Sequence, residues 1–302
     1  MTQDPTGAPV HRAGQVALVG RPNVGKSTLL NALVGAKVAI VTPKPQTTRN
    51  RICGIRTLPG AQVAFLDTPG IHAARSPLNR RMVEVARRTL EEADAVVLVI
   101  DAAGGLGAGD RELVASLATS RVPVVVALNK IDRVAKPALL PLMAALGALL
   151  PGRDLVPVSA LRGSGVDVLL DVVVRALPEG PPRYAEDEFT TATERFLAAE
   201  LVREQVFLAT REEIPYGTAV VVERFEERGD RAVVVIAATI LVERESHKPI
   251  VLGAKGERLG QIGTRARAEL EALLGTKVFL ELFVRVEPDW ARSRRRLEEL
   301  GL

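Results

Sequence analysis

The chain has one cysteine, Cys53, in 302 residues, so no internal disulfide framework can form and a reducing compartment is the consistent setting. It also lacks a long apolar run. The longest near-continuous one, AVVVIAATILV at 232–242, has eleven residues, well short of the ~20 that a membrane-spanning helix needs. It reads as a buried strand. The opening MTQDPTGAPVHRAG has no apolar stretch behind a basic start, which argues against a secretory signal, and residues 1–14 read as a disordered tail. The formal charge of +4 is modest, but it is unevenly placed. Residues 1–184 hold 22 basic and 14 acidic residues, and the remainder 18 and 22. Within that remainder, 185–247 sums to −7 and 248–296 to +5, so local patches carry more meaning than the total.

At 302 residues and 47% hydrophobic, the chain is long enough for two domains with separate cores. From residue 15 short β-branched runs (QVALVG, RICGIRTL, QVAFLD, AVVLVID, PVVVALN, DLVPVSA) alternate with amphipathic stretches of helical period, an order that predicts an α/β domain with a mostly parallel sheet over 15–180. LPEGPPRYAEDEFT breaks the pattern with proline and acid, placing a linker at 181–190. Beyond it, over 191–302, the order becomes helix, strand, strand, helix, helix, strand and a basic terminal helix. That is a smaller α+β domain, with EERGD turning one antiparallel strand into the next.

The first domain carries three motifs in register with its strands. GRPNVGKST (Gly20, Arg21, Pro22, Asn23, Val24, Gly25, Lys26, Ser27, Thr28) fits the phosphate-loop pattern G-x-x-x-x-G-K-S/T after a strand and opening a helix. The glycines let backbone N–H groups approach phosphate, Lys26 reaches the β- and γ-phosphates, and Ser27 offers its hydroxyl to Mg²⁺. DTPG (Asp67, Thr68, Pro69, Gly70) closes a strand, putting the Asp67 carboxylate where it can hold Mg²⁺ and the Gly70 amide where it can follow the γ-phosphate. NKID (Asn129, Lys130, Asp132) selects the base, because an ionised Asp132 can accept both N–H donors of the guanine edge, whereas adenine presents a donor and an acceptor there. Ser159 and Ala160 sit where a backbone amide can reach guanine O6. In TPKPQTTRNR, Thr47 or Thr48 would complete the Mg²⁺ shell, with Thr48 favoured.

One thing is missing from this set. Many nucleotide triphosphatases follow the DTPG-like segment with a glutamine that positions the attacking water, and here that place holds Ile71. An aliphatic side chain has no donor or acceptor to orient water. Either the nucleotide is not hydrolysed, or backbone, cation or partner orders the water and intrinsic turnover is slow.

In the second domain GAKG (Gly253, Ala254, Lys255, Gly256) joins two helices, the position of the G-x-x-G backbone clamp of a KH domain, with Lys248, Lys255, Arg258, Arg265 and Arg267 available to neutralise a nucleic-acid backbone. A plain helix-linking turn is the alternative. The terminal ARSRRRLEEL gathers Arg292, Arg295 and Arg296 early in a helix, which favours an anionic partner over a salt-bridged surface helix.

Taken together, GRPNVGKST, QTTR, DTPGI, NKID, VSA, LPEGPP, ERFLAAELVRE, TREEIPY, VLGAKG and LELFVRV resemble the Era family, bacterial GTPases of small-subunit ribosome assembly, over nearly the whole chain after residue 14. The resemblance implies a phosphate-loop GTPase domain followed by a KH domain, with GTP or GDP and Mg²⁺ at the first. It implies small-subunit ribosomal RNA near its 3′ end, and the small subunit itself, as partners of the second. A monomer in the cytoplasm with weak peripheral membrane contact is implied as well, although no anchor is visible. Arginine outnumbers lysine 32 to 8, a departure from lysine-rich members. Relatives with an apolar residue in place of the glutamine use a phosphate-loop asparagine to hold K⁺; the matching residue is Asn23, for which a turn residue tolerating an unusual φ is the equal alternative. By that reading Lys26, Asn23, Thr48 and Gly70 are the candidate catalytic residues, and Ser27, Thr48 and Asp67 the candidate metal ligands. A nucleotide site without turnover, or a membrane-surface GTPase using the terminal arginines, are the competing classes.

Overall fold

The structure is a computed structural model that describes residues 11–45, 47–70, 77–228 and 233–300. Ile71, and with it the question of the missing glutamine, lies outside the described residues, as do Gly229 and Asp230 of the EERGD turn. The chain divides into two compact units. One takes in most of the chain as far as Thr191; the other runs from Ala192 onward and also includes Ile40–Thr47.

The first unit is built on six strands, β1 (Arg12–Val19), β2 (Ile52–Leu58), β3 (Ala61–Asp67), β4 (Ala95–Asp101), β5 (Val124–Asn129) and β6 (Leu155–Pro157), in the order β2-β3-β1-β4-β5-β6. All neighbours are parallel except β2 with β3. The central runs are buried throughout, apart from Asp101 at the end of β4, as parallel strands covered on both faces must be. Helices α1 (Lys26–Val34), α2 (Pro77–Glu92), α3 (Ala108–Ala118), α4 (Lys136–Leu149) and α5 (Val166–Ala176) follow strands in turn. Because β1, β3, β4 and β5 run the same way, the segments after them emerge at one edge of the sheet, where open α/β sheets bind ligands.

Two boundaries differ from expectation. β1 begins at Arg12, inside the stretch read as a tail, because Arg12 and Ala13 pair with Ala61 and Gln62 of β3. The stretch read as a free linker is laid against the first unit. Gln62 Oε1 accepts from Arg183 N (2.7 Å) and Tyr184 N (2.9 Å), and Ile55 N donates to Phe189 O (2.8 Å). β2 is an edge strand, and an uncovered edge leaves backbone donors and acceptors unpaired.

The second unit comprises α6 (Glu194–Ala209), β7 (Thr218–Arg228), β8 (Val233–Val242), α7 (Lys248–Leu252), α8 (Glu257–Leu274), β9 (Lys277–Val286) and α9 (Arg294–Glu299). Its sheet runs β7-β8-β9, antiparallel then parallel. Ala198 and Leu201 of α6, Ile236 and Ala238 of β8 and Leu270 of α8 form its core, joined by Ile40. The chain after Ile40 stays on α6. Val41 N donates to Glu204 Oε1 (2.7 Å), Lys44 donates to the carbonyls of Phe207 and Thr210, and the buried Arg203 donates to Thr47 O (2.6 Å) while pairing with Glu200 (2.6 Å).

Candidate functional site

The phosphate loop follows β1 and opens α1 through Gly25, whose φ of 96° is left-handed. A Cβ there would fall 2.4 Å from Asn129 Nδ2, so this position is closed to other residues twice over. Asn23 also has φ 64°; its residue type therefore has a backbone reason that needs no cation. The loop carbonyls are held from behind. Lys26 Nζ donates to Gly20 O (3.1 Å) and Arg21 O (3.2 Å), Lys130 Nζ to Asn23 O (2.6 Å), and Asn129 Nδ2 to Val24 O (2.9 Å). With carbonyls engaged, the backbone N–H groups are left to face a bound anion.

Lys26 is buried, which pushes its pKa down against the opposing pull of Asp67. Asp67 is fully buried at the end of β3; burial pushes its carboxyl up, offset by Lys26, Ser27, Thr48 and the Thr68 amide. Asp67 Oδ2 accepts from Ser27 Oγ (2.6 Å) and Thr48 Oγ1 (3.2 Å), and the two hydroxyls lie 2.8 Å apart. Thr47 is turned elsewhere, its Oγ1 donating to Lys44 O (2.8 Å) and lying 2.6 Å from Thr42 Oγ1. Of the two threonines, the structure brings only Thr48 to Ser27 and Asp67. Asp67 Oδ1 is buried with no hydrogen-bond partner, an orphaned acceptor that fits a divalent cation. One carboxylate and hydroxyls beside phosphate oxygens suit Mg²⁺, which keeps much of its hydration. Among the described residues no group of three or more His, Cys, Asp or Glu is placed to hold a metal ion. Gly70 sits against the loop so closely that a Cβ would lie 2.8 Å from Pro22 N. The Thr68 hydroxyl donates to Leu18 O (2.9 Å) and the residue is fully buried, tying β3 to β1. Pro69 is buried beside it, and Thr28 lies half-buried on α1.

At the base site Asn129 Oδ1 accepts from Lys130 N (2.8 Å) and Ala160 N (3.0 Å), so the amide nominated for guanine O6 also braces Asn129. Asp132 Oδ1 accepts from Ser159 Oγ (2.6 Å), and this bond holds the Asp132 carboxyl below its ordinary pKa. An ionised carboxylate is what the two guanine donors require. Sequence reasoning missed Asp101, which ends β4 and pairs with Lys130 Nζ (2.6 Å); a carboxylate closing a buried strand at the ligand edge was the available signal.

In the second unit the glycine clamp is a left-handed turn, with φ 73° at Gly253, 50° at Lys255 and 81° at Gly256. A groove of about 310 Å³ opens beside it, lined by Gly256 of the clamp, by Gly260, Gly263, Thr264 and Arg267 of α8, and by Leu280 and Leu282 of β9. Of the predicted RNA contacts, Gly256 and Arg267 line the groove. Ala254 and Lys255 are exposed on the clamp. Arg258 turns back to donate to Ile250 O, and Lys248 and Arg265 are not among the lining residues. The missed residues are Gly260, Gly263 and Thr264. A glycine inside a helix costs about 1 kcal/mol against alanine, so two of them in GERLGQIG were a signal that a smooth helix face was needed. The terminal arginines, read as facing an anionic partner, are ion-paired within the chain, although Arg294 and Arg295 stay 93% and 89% exposed. Arg294 pairs with Glu298 (3.1 Å), Arg295 with Glu299 (2.9 Å), and Arg296 with Glu287 (2.6 Å) and Glu299 (2.9 Å). They form a salt-bridged surface helix, because glutamates stand one turn onward.

A phosphate cradle and a carboxylate matched to guanine, presented at one edge of a mostly parallel sheet, define the first unit as a phosphate-loop GTPase domain, and the α-β-β-α-α-β order with its clamp defines the second as a KH domain. Family models agree: "50S ribosome-binding GTPase" matches residues 15–130 and "KH domain" residues 213–291. The chain is 52% identical to GTPase Era of Geobacter metallireducens, covering 96% of this chain and 97% of that protein, and 45% identical to GTPase Era of Halothermothrix orenii, covering 96% and 98%. Among solved structures it is similar to a variant of Aquifex aeolicus Era bound to GDP·AlF₄⁻, with TM-score 0.93 at 44% identity, and equally to Era in complex with MgGDPNP and nucleotides 1506–1542 of 16S ribosomal RNA. In both cases 96% of this chain and 99% of the other are covered. The chain belongs to the Era family of GTPases.

Proposed function

We propose that the chain is a GTP-driven RNA-binding switch that assists assembly of the small ribosomal subunit, gripping a single-stranded segment near the 3′ end of the small-subunit RNA in its KH groove. The observation that carries the switch is the placement of adjacent residues. Thr48 joins Ser27 and Asp67 at the phosphate site, while Thr47 is held by Arg203 of α6 in the unit that bears the groove. A segment that orders around γ-phosphate is the usual element by which such proteins read their nucleotide. RNA of the kind found with the related Era fits a groove lined by glycines and Arg267, where the backbone can lie close and its charge is neutralised.

In hydrolysis, the loop amides and Lys26 hold the β- and γ-phosphates of GTP and stabilise charge that develops on them. Ser27, Thr48 and Asp67 would hold Mg²⁺, which neutralises phosphate charge when bound. The Gly70 amide follows the γ-phosphate, and Asp132, Asn129 and Lys130 fix the guanine. K⁺ held near Asn23 is the further cation this reading includes. GTP hydrolysis measured in K⁺ and in Na⁺ tests it: faster turnover in K⁺ supports the site, and equal rates remove it. Action is as a monomer in the cytoplasm. Peripheral membrane contact, implied by resemblance, draws no support from α9, whose arginines are paired. Crosslinking to ribosomal RNA, with sequencing of the contact, tests the RNA assignment. Contacts scattered over the RNA, rather than gathered at the 3′ end of the small-subunit molecule, would overturn it.

A further inference from the structure

Asp110 is a fully buried carboxylate that none of the three nucleotide motifs includes. It lies in the first turn of α3, where Oδ2 accepts from Gly107 N (2.9 Å) and approaches Arg21 Nε of the phosphate loop to 2.7 Å. That approach is a charge contact without an aligned N–H, and Asp110 Oδ1 has no hydrogen-bond partner. The first turn of α3 is shaped to receive this one side chain. A Cβ on Gly107 would stand 3.1 Å from Arg21 Nη1, and one on Gly109 would stand 3.2 Å from Arg21 Cδ. GAGD thus supplies two surfaces without side chains and one anion, all facing Arg21.

We infer that Arg21 and Asp110 form a positioning pair that fixes the first half of the phosphate loop from α3, so that Arg21 acts on the loop through α3 and is not itself a phosphate ligand. The two halves of the loop are then braced separately. Lys130, itself paired with Asp101, and Asn129 hold Asn23 O and Val24 O; the Arg21–Asp110 contact holds the segment whose Gly20 and Arg21 carbonyls receive Lys26. Loss of the brace loosens amides that meet the phosphates of GDP and GTP alike. A loss common to ground and transition states raises KM and leaves kcat unchanged.

The test uses the full chain with Asp110→Asn, which keeps an acceptor for Gly107 N, Arg21→Gln, whose side chain is 33% exposed, and the double variant. Affinity for GDP and for GDPNP is measured by titration, kcat and KM for GTP at steady state, and melting without nucleotide. Each single variant is expected to weaken both nucleotides about tenfold, worth ~1.4 kcal/mol, and to raise KM at unchanged kcat, with the double variant no weaker than either single. Unchanged affinities, with or without a lower melting temperature, would reduce the pair to a structural contact and overturn the inference. Multiplicative losses in the double variant, or a fall in kcat at unchanged KM, would also overturn it.

Discussion

The interior glycines of α8 give a prediction in which stability and function move in opposite directions. Gly260→Ala adds a methyl at a position where a Cβ meets nothing within 4 Å, and Gly263→Ala one whose Cβ lies 3.4 Å from Leu282 Cδ1, an ordinary contact. Neither glycine has a positive φ, so alanine fits the helix without strain. Each exchange should stabilise α8 by about 1 kcal/mol, the helix-propensity difference, raising melting of this unit by roughly 4–8 °C. Both methyls project into the groove of about 310 Å³, where they would hold the RNA backbone away from the helix. Affinity for a single-stranded RNA from the 3′ end should fall about tenfold for each, ~1.4 kcal/mol, and further for Gly260→Leu. Calorimetry and RNA titration on the same samples read both effects, with GTP hydrolysis in the absence of RNA as an unchanged control. Stabilised variants that bind RNA like wild type would refute the location of the RNA site; destabilised ones would refute the reasoning about the helix.

Other perturbations separate the roles assigned at the nucleotide. Thr48→Ala removes a hydroxyl from Ser27 and Asp67 and should weaken Mg²⁺-dependent GDPNP binding about tenfold while sparing GDP; Thr47→Ala should leave both nucleotides unaffected in the same titrations. The Asp132 pKa is depressed by Ser159. Its ionised form therefore persists as pH falls below the ordinary carboxylate range, and any stability it lends is present above the unfolded pKa and lost as pH falls through the folded one. Ser159→Ala should move the acid limb of GDP binding to higher pH, read from affinity against pH. Glu271 is depressed chiefly by the Val278 amide, so Glu271→Gln should cost stability near neutrality and lose that cost as acid protonates the wild-type carboxyl, read from melting against pH.

Much of the nucleotide site was legible because it depends on local spacing. Gly25, Lys26 and Ser27 open the helix that follows β1, and Asp67 and Asn129 end β3 and β5, positions that follow from a hydrophobic run and a turn. What was not legible depends on partners distant in the chain. Arg21 reads as one more loop residue until Asp110 is packed against it, and Lys130 as one more member of NKID until Asp101 is seen beside it. Thr47 and Thr48 are adjacent and chemically equal, so only the direction of each side chain separates them. The anchoring of Val41, Lys44 and Thr47 was not legible because the groups that hold them lie 156 to 163 residues onward in α6. The arginines of α9 pair with glutamates one turn away, a spacing that is visible in the sequence.

The central claim is that the nucleotide state controls the grip on RNA. Its most direct test is the affinity of the full chain for a single-stranded RNA from the 3′ end of the small-subunit molecule, measured with GDPNP and with GDP in wild type and in Thr48→Ala. Tighter binding with GDPNP in wild type, abolished in Thr48→Ala, is the expected result. Equal affinities in the two nucleotide states of wild type, or a difference that survives in Thr48→Ala, would contradict it.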